Sequence, residues 1–402
     1  MPSVIRRRSP NVDKCRRLRS PATYSRCVDD DLASAELEYG SEGDELLQEE
    51  RDAIEEPDPN PDPVSYSGTD FDVEGLVRRL NRGDIIVPSF GIVDETIETK
   101  GFQRRFVWRK AQMDRFIESL LIGYPIPGIF LVQQKDKRYL VLDGQQRLRT
   151  LQAFYRGLHN AKEFSLQNVA SDYKDLTYEA LDPELRRTID NTFVQATIVK
   201  TDGQAKSLDT IYQIFERLNS GGTQLTPHEI RVALYAGRFV EFLTKLNELD
   251  AWRELYGPLS PRLRDQEILL RFVALYVSPG SYKRPLKKYL NDFVADHRDL
   301  EGLDPDAVGA RFSDAVRLLN SAVGPSAIRA RRSVNAALAE SLFVGLARRL
   351  DLEPAPSELA VAGAVERLLK NSELDRTISQ ATADEESVRT RLAITTTEFS
   401  KI

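Results

Sequence analysis

The chain has 402 residues, 41% of them hydrophobic, enough for two ordinary domains or one domain with a large extension. No run of about 18 apolar residues occurs, which argues against a membrane-spanning helix. The net charge of −6 hides an uneven distribution. Residues 1–26 carry eight basic side chains against Asp13 (+7), and residues 29–62 carry fifteen acids against Arg51 (−14), so the body from 63 onward is close to neutral at +1. The leading segment has few large apolar residues and a proline run at Pro57, Pro59, Pro61 and Pro63, so residues 1–65 are expected to be a disordered tail, basic and then acidic. Arg6-Arg7-Arg8 is a candidate nucleic-acid contact or address, set against an idle solvated tail. Both cysteines, Cys15 and Cys27, fall in this tail, so the body offers no disulfide, thiolate metal site or thiol nucleophile. A cytoplasmic location fits.

Regular patterning begins near residue 70. Val73, Leu76, Val77 and Leu80 fall at helical spacing over Asp72–Arg82, with Gly83 as the stop. Ile85–Val87 reads as a short strand ended by Pro88. Gly101–Trp108 is expected to be extended. Lys110–Ile122 has one apolar face and ends at Gly123. Pro125–Gly128 turns the chain into a strand over Ile129–Gln133, and Lys135–Lys137 forms a hairpin into the strand Tyr139–Leu142. A helix follows from Gln145 to about Arg156, closed by Gly157. Phe193–Lys200 reads as a strand, and Ser207–Asn219 as a helix stopped by Ser220-Gly221-Gly222. Thr226-Pro227-His228-Glu229 has the form of a capping box with proline at the first helical position, and His228 is expected to face solvent. Helices alone are expected beyond it, at about 228–249, 263–277, 285–297, 305–323, 326–351, 357–370 and 386–398. The fold class is α+β: a small mixed domain at about 70–204, then an all-helical domain over 205–402.

The segment Tyr139–Leu151 carries the chemistry. A strand, a tight turn at Asp143-Gly144 and a helix opening at Gln145 aim unbonded N–H groups and the positive end of the helix dipole at one point. Such a point binds anions, phosphate above all. Arg147 adds a planar fork of donors at the same helix mouth.

Three blocks together resemble the DUF262 family, the N-terminal domain of GmrSD-type modification-dependent restriction enzymes. They are Phe102-Gln103-Arg104-Arg105-Phe106-Val107-Trp108; Phe116–Pro127 running into Asp143-Gly144-Gln145-Gln146-Arg147; and Phe215–Leu225 followed by Glu229-Ile230-Arg231. The resemblance covers roughly residues 72–235 and implies a ParB/sulfiredoxin-like fold. It also implies nucleotide binding, with NTP hydrolysis in some members, tied to the Asp-Gly-Gln-Gln-Arg motif. On this chain, Gly144 would admit phosphate to the backbone, Gln145 and Gln146 would donate from the first turn, and Arg147 would pair with phosphate charge. Asp143 would hold magnesium or orient the attacking water. Gln103 and Arg104 would close the site, with Asn219, Gly221 and Gly222 forming a second loop nearby. The HNH nuclease pattern of fused members is missing here, so a nuclease would come from a partner or defence protein.

Each assignment has a plainer rival. Asp143 has the form of a helix cap, Arg147 of a structural salt-bridge former, Gln103 and Arg104 of an edge-strand end, Ser220-Gly221-Gly222 of a helix stop, and Trp108 of a core residue. The leading functional expectation is a nucleotide-binding, NTP-hydrolysing protein of an anti-phage or restriction system that acts on or senses DNA. The alternative is a non-catalytic module in which nucleotide switches DNA or protein binding. Direct nuclease chemistry in the first domain ranks last, because no metal-ligand cluster accompanies Asp143.

Overall fold

The computed structural model describes residues 47–55, 64–88, 108–202, 204–218, 225–330, 333–352 and 354–402. All of them lie in the unit Leu46–Ile402. A helix α1 (Gln48–Glu55) is followed by strand β1 (Tyr66–Asp72), helix α2 (Val73–Arg82), strand β2 (Ile85–Ile86), helix α3 (Lys110–Ile122), strands β3 (Ile129–Gln133) and β4 (Tyr139–Asp143), helix α4 (Gln145–Arg156), a small hairpin of β5 (Leu158–His159) and β6 (Lys162–Glu163), helix α5 (Pro183–Asp190) and strand β7 (Phe193–Lys200). The sheet order is β1-β7-β3-β4-β2. Pairings alternate, antiparallel for β1–β7 and β3–β4, parallel for β7–β3 and β4–β2.

Period-two alternation explains why both faces of this sheet are covered. Leu131, Val141, Ala196 and Ile198 point to a core shared with α2, α3, α4 and α5, through Leu76, Ile117, Phe154 and Ile189. Val132, Leu140, Leu142 and Val199 point the other way, into the core of the helical part, against Leu208, Ile211 and Phe215. The sheet is thus the wall between two apolar cores.

The helical part begins with α6 (Ala205–Leu218) and continues through α7 (Pro227–Leu234), α8 (Arg238–Asn247), α9 (Asp250–Tyr256), α10 (Arg264–Val277), α11 (Leu286–Asp296), α12 (Pro305–Ala322), α13 (Ala336–Leu350), α14 (Glu358–Leu369), α15 (Ser372–Ser379) and α16 (Glu385–Phe399). Helix α13 is buried without interruption from Ala337 to Ala347, mostly apolar but with Glu340 buried against Arg391. Its Phe343 meets Trp252, Phe272 and Phe312 edge to face, with centroids 5.6–6.4 Å apart, a geometry that aligns ring edges with ring faces.

Four expectations are corrected. The expected tail contains α1, held by ion pairs to Arg264 and Arg271. Strand β1 precedes the first expected element; it is exposed over Tyr66–Asp70, so no apolar alternation announces it, and pairing with β7 alone sets it. The helix expected over 228–249 is broken at Ala236-Gly237, where a side chain on Gly237 would come within 2.9 Å of the Arg298 backbone oxygen. The helix expected over 326–351 starts only at Ala336, capped by the Asn335 side chain, which accepts from the Leu338 N–H. Before it lie a 3-10 turn (Pro325–Ile328) and the two-residue strands β8 (Arg329–Ala330) and β9 (Ser333–Val334). The β8–β9 pairing turns the chain back, with the Asn335 N–H on the Ile328 carbonyl at 2.9 Å, and Asn335 then caps the helix that follows.

Candidate functional site

Asp143 ends β4, Gly144 forms the turn and α4 opens at Gln145. The turn is possible because Gly144 has φ +95°, a left-handed conformation that side chains resist. A side chain there would also approach Cγ2 of buried Ile129 to 2.5 Å. The register shifts between Phe130 and Leu131, whose partners are Asp143 and Val141, so the extra residue Leu142 bulges β4 just before the site. The first helical bond is Leu148 N–H to the Gly144 carbonyl at 3.0 Å. Among the described residues no side chain caps the preceding N–H groups, so the first turn of α4 presents open donors.

Arg147 binds inward. Its guanidinium donates to Asp143 Oδ2 at 2.7 Å, to the Gly128 carbonyl at 2.8 Å and to the Pro127 carbonyl. Its side chain is 13% exposed, that of Asp143 45%. Burial, the larger effect, lowers the Arg147 pKa, and the neighbouring Asp143 charge opposes that. One guanidinium therefore joins the Pro125–Gly128 turn, the end of β4 and the first turn of α4. The four-residue spacing from Asp143 to Arg147 signals this pair in the sequence; the carbonyl contacts carry no such signal.

Gln146 accepts from the Trp108 N–H at 3.5 Å through its side chain. Arg149, one helical turn on from Gln145, donates to the Pro88 carbonyl at 2.9 Å. The described ends of the segment that carries Gln103 and Arg104 are thus both tied to α4. Gln103, Arg104, Asn219, Gly221 and Gly222 themselves lie outside the described residues. Trp108 is half-buried and packs edge to face on Phe116 at 5.6 Å, a core contact.

His228 does not face solvent. It is 1% exposed. Its Nε2 lies 3.2 Å from Gln266 Oε1 and its Nδ1 3.1 Å from an Arg231 nitrogen, a pattern that suits the neutral ring with its proton on Nε2. Burial, then the Arg231 charge, lowers its pKa to about 3. The capping box places it there: Thr226 accepts from the Glu229 N–H, the Glu229 side chain accepts from the Thr226 N–H, and the first turn they fix is itself buried. No group of three or more His, Cys, Asp or Glu is placed to hold a metal among the described residues. No helix among them is long and apolar enough to cross a membrane.

Residues 79–236 match the family model described as GmrSD restriction endonuclease, N-terminal domain. The chain carries a GmrSD N-terminal domain. The matched span runs from within α2 through β2, β3, β4 and β7 of the sheet and the Asp143–Arg147 turn to just past the end of α7, leaving β1 outside. It points to a restriction system. No curated protein matches the chain.

Proposed function

We propose that the protein binds a nucleoside triphosphate by its phosphates at the first turn of α4 and hydrolyses it, within a restriction or anti-phage system that acts on or senses DNA. Any nuclease would be supplied by a partner protein. The observation that carries this reading is a helix start with no side-chain cap among the described residues, behind a left-handed Gly144 that has no room for a side chain. Such a start binds phosphate through N–H groups and the helix dipole together.

The residues divide the work. Gly144 lets phosphate oxygens reach the backbone. Gln145 and Gln146 donate from the first turn. Arg147 holds the turn and Asp143 in place and adds positive field behind the phosphates. Arg104 lies four residues before Trp108, within about 14 Å of extended chain, so Gln103 and Arg104 are in reach of the site; Asn219 follows α6 and would add a polar contact. Asp143 orients the attacking water through the oxygen not paired with Arg147. In the alternative role that same oxygen holds magnesium; among the described residues of the turn it is the carboxylate oxygen available for it. A single carboxylate fits an ion that takes its other positions from phosphates and water, and the ion, when bound, neutralises phosphate charge.

A second reading, nucleotide as a switch for DNA or protein binding without turnover, is favoured by one observation: Asp143 is already paired with Arg147. Phosphate release from each NTP, with and without DNA, separates the two. Turnover in the wild type that is lost in Asp143→Ala supports hydrolysis. Binding without release supports the switch. Absence of nucleotide binding with magnesium present overturns both.

A further inference from the structure

The helical part holds a cavity of about 510 Å³, within the size range of small-ligand sites. Five cations line it: Arg231, Arg264, Arg271, Arg284 and Lys287. Among the lining residues outside α1, Glu267 and Asp384 oppose them; behind the lining, Glu216 pairs with Lys287 at 3.0 Å and Glu340 lies 3.8 Å from Arg271, which leaves Arg264 as the cation most dependent on α1. Helix α1 forms one wall and brings Glu49, Glu50 and Asp52, which make the lining charges even. Glu50 grips Arg264 with both oxygens, at 2.8 Å each. Glu49 takes Arg271 at 2.7 Å.

The way α1 is held is unusual for a helix. It has eight residues, too few to be stable alone in water. Its most buried side chain, among those described, is not apolar but Glu50, 9% exposed. An apolar face does not dock it; carboxylates on guanidinium forks do. A carboxylate on such a fork occupies the place that two phosphate oxygens fit equally well. Ile268, Leu286 and Leu290 supply an apolar part of the lining for the organic portion of a ligand.

We propose that this cavity is a second anion site, for a phosphorylated ligand of nucleotide size, and that α1 is its built-in competitor, seated on Arg264 and Arg271 until the ligand takes them. The site is separate from the turn at Asp143–Arg147 and does not depend on the reading of that turn. Binding there releases α1, so occupancy of the cavity is reported at residues 48–55.

Inorganic tripolyphosphate and ATP are the probes, on the full chain. In the wild type, saturating tripolyphosphate should speed amide exchange over residues 48–55. By calorimetry, Glu49→Gln/Glu50→Gln should bind tripolyphosphate about tenfold more tightly at one site, within the usual range of coupling between competing contacts. Adding Arg264→Gln should reverse that gain. ATP should act as tripolyphosphate does. Unchanged exchange at 48–55, no gain in the double variant, or a gain that Arg264→Gln leaves intact overturns the proposal. A response at 48–55 to a single-stranded oligonucleotide but to neither probe overturns the assignment of ligand size. If the double variant does not fold, the exchange experiment on wild type and on Arg264→Gln decides alone: the single variant should show fast exchange at 48–55 that tripolyphosphate no longer alters.

Discussion

Replacing Gly144 with alanine tests the geometry of the turn. Gly144 has φ +95°, where a side chain costs about 1–2 kcal/mol. The added carbon would lie 2.5 Å from Cγ2 and 3.2 Å from Cβ of Ile129. Ile129 is 1% exposed and fixed in β3, so it has no room to swing away, and overpacking of that kind adds about 1–3 kcal/mol. The expected total is about 2–5 kcal/mol. Gly123 is the control: its φ is +83° and a side chain there would meet nothing within 4 Å, so Gly123→Ala should cost only the conformational part, about 1–2 kcal/mol. Urea unfolding of the two variants and the wild type, compared at equal m-values, isolates the clash as the difference. The same variant should lose nucleotide binding, because the N–H groups of the first turn are re-aimed. Equal losses at the two glycines, or a Gly144→Ala protein within about 0.5 kcal/mol of wild type, would refute this account of the turn.

Arg147→Ala removes charge-assisted bonds to Asp143, Pro127 and Gly128 and should lower stability by about 1–3 kcal/mol, since water can reach the exposed Pro127 side; Arg147→Lys, with no planar fork, should recover less than half in the same urea assay. Asp143→Ala, at a partly exposed pair, should shift stability by no more than about 1 kcal/mol while abolishing phosphate release. His228 gives a pH signature. The unfolded chain takes up a proton below pH 6.5 that the folded chain refuses until about pH 3. The stability tied to neutral His228 is therefore complete above pH 6.5 and is lost as pH falls through that window, by about 2 kcal/mol at pH 5. Burial raises the Glu267 pKa, but the neighbouring charges, Arg271 first and then Arg231, together outweigh it and bring it to about 2, so Glu267 titrates only in more acid solution. Urea midpoints at pH 7.5 and 5.0 should converge in His228→Gln; an unchanged slope would contradict the buried, neutral ring.

The elements that bury an apolar stripe were legible. Asp72–Arg82, Lys110–Ile122 and Tyr139–Leu142 all match the expected spans closely, because side-chain period and chain punctuation agree there. So was the strand–turn–helix, since Gly between an apolar strand and a helix has few other uses. Elements fixed by distant partners were not. Strand β1 is polar and exists because β7 lies beside it. Helix α1 carries Glu49 and Glu50 in its first turn and exists because Arg264 and Arg271, more than 200 positions away, receive it. Charge composition identifies such a segment as a tail, and only the fold reveals its acceptors. His228 illustrates the same limit at one residue: the second position of a helix is usually wet, but α7 buries its own first turn. In the candidate site, the four-residue spacing of Asp143 and Arg147 was readable, and the inward hold of Arg147 on two loop carbonyls was not, because backbone acceptors leave no trace in residue identity.

The central claim is that phosphates dock on the opening turn of α4. Amide exchange resolved over residues 143–150, with and without a non-hydrolysable NTP analogue and magnesium, tests it most directly. The account predicts slowed exchange at the backbone N–H groups of Gln145, Gln146 and Arg147 on ligand addition, and loss of that protection in Gly144→Ala. Nucleotide binding with exchange at these three positions unchanged would contradict it.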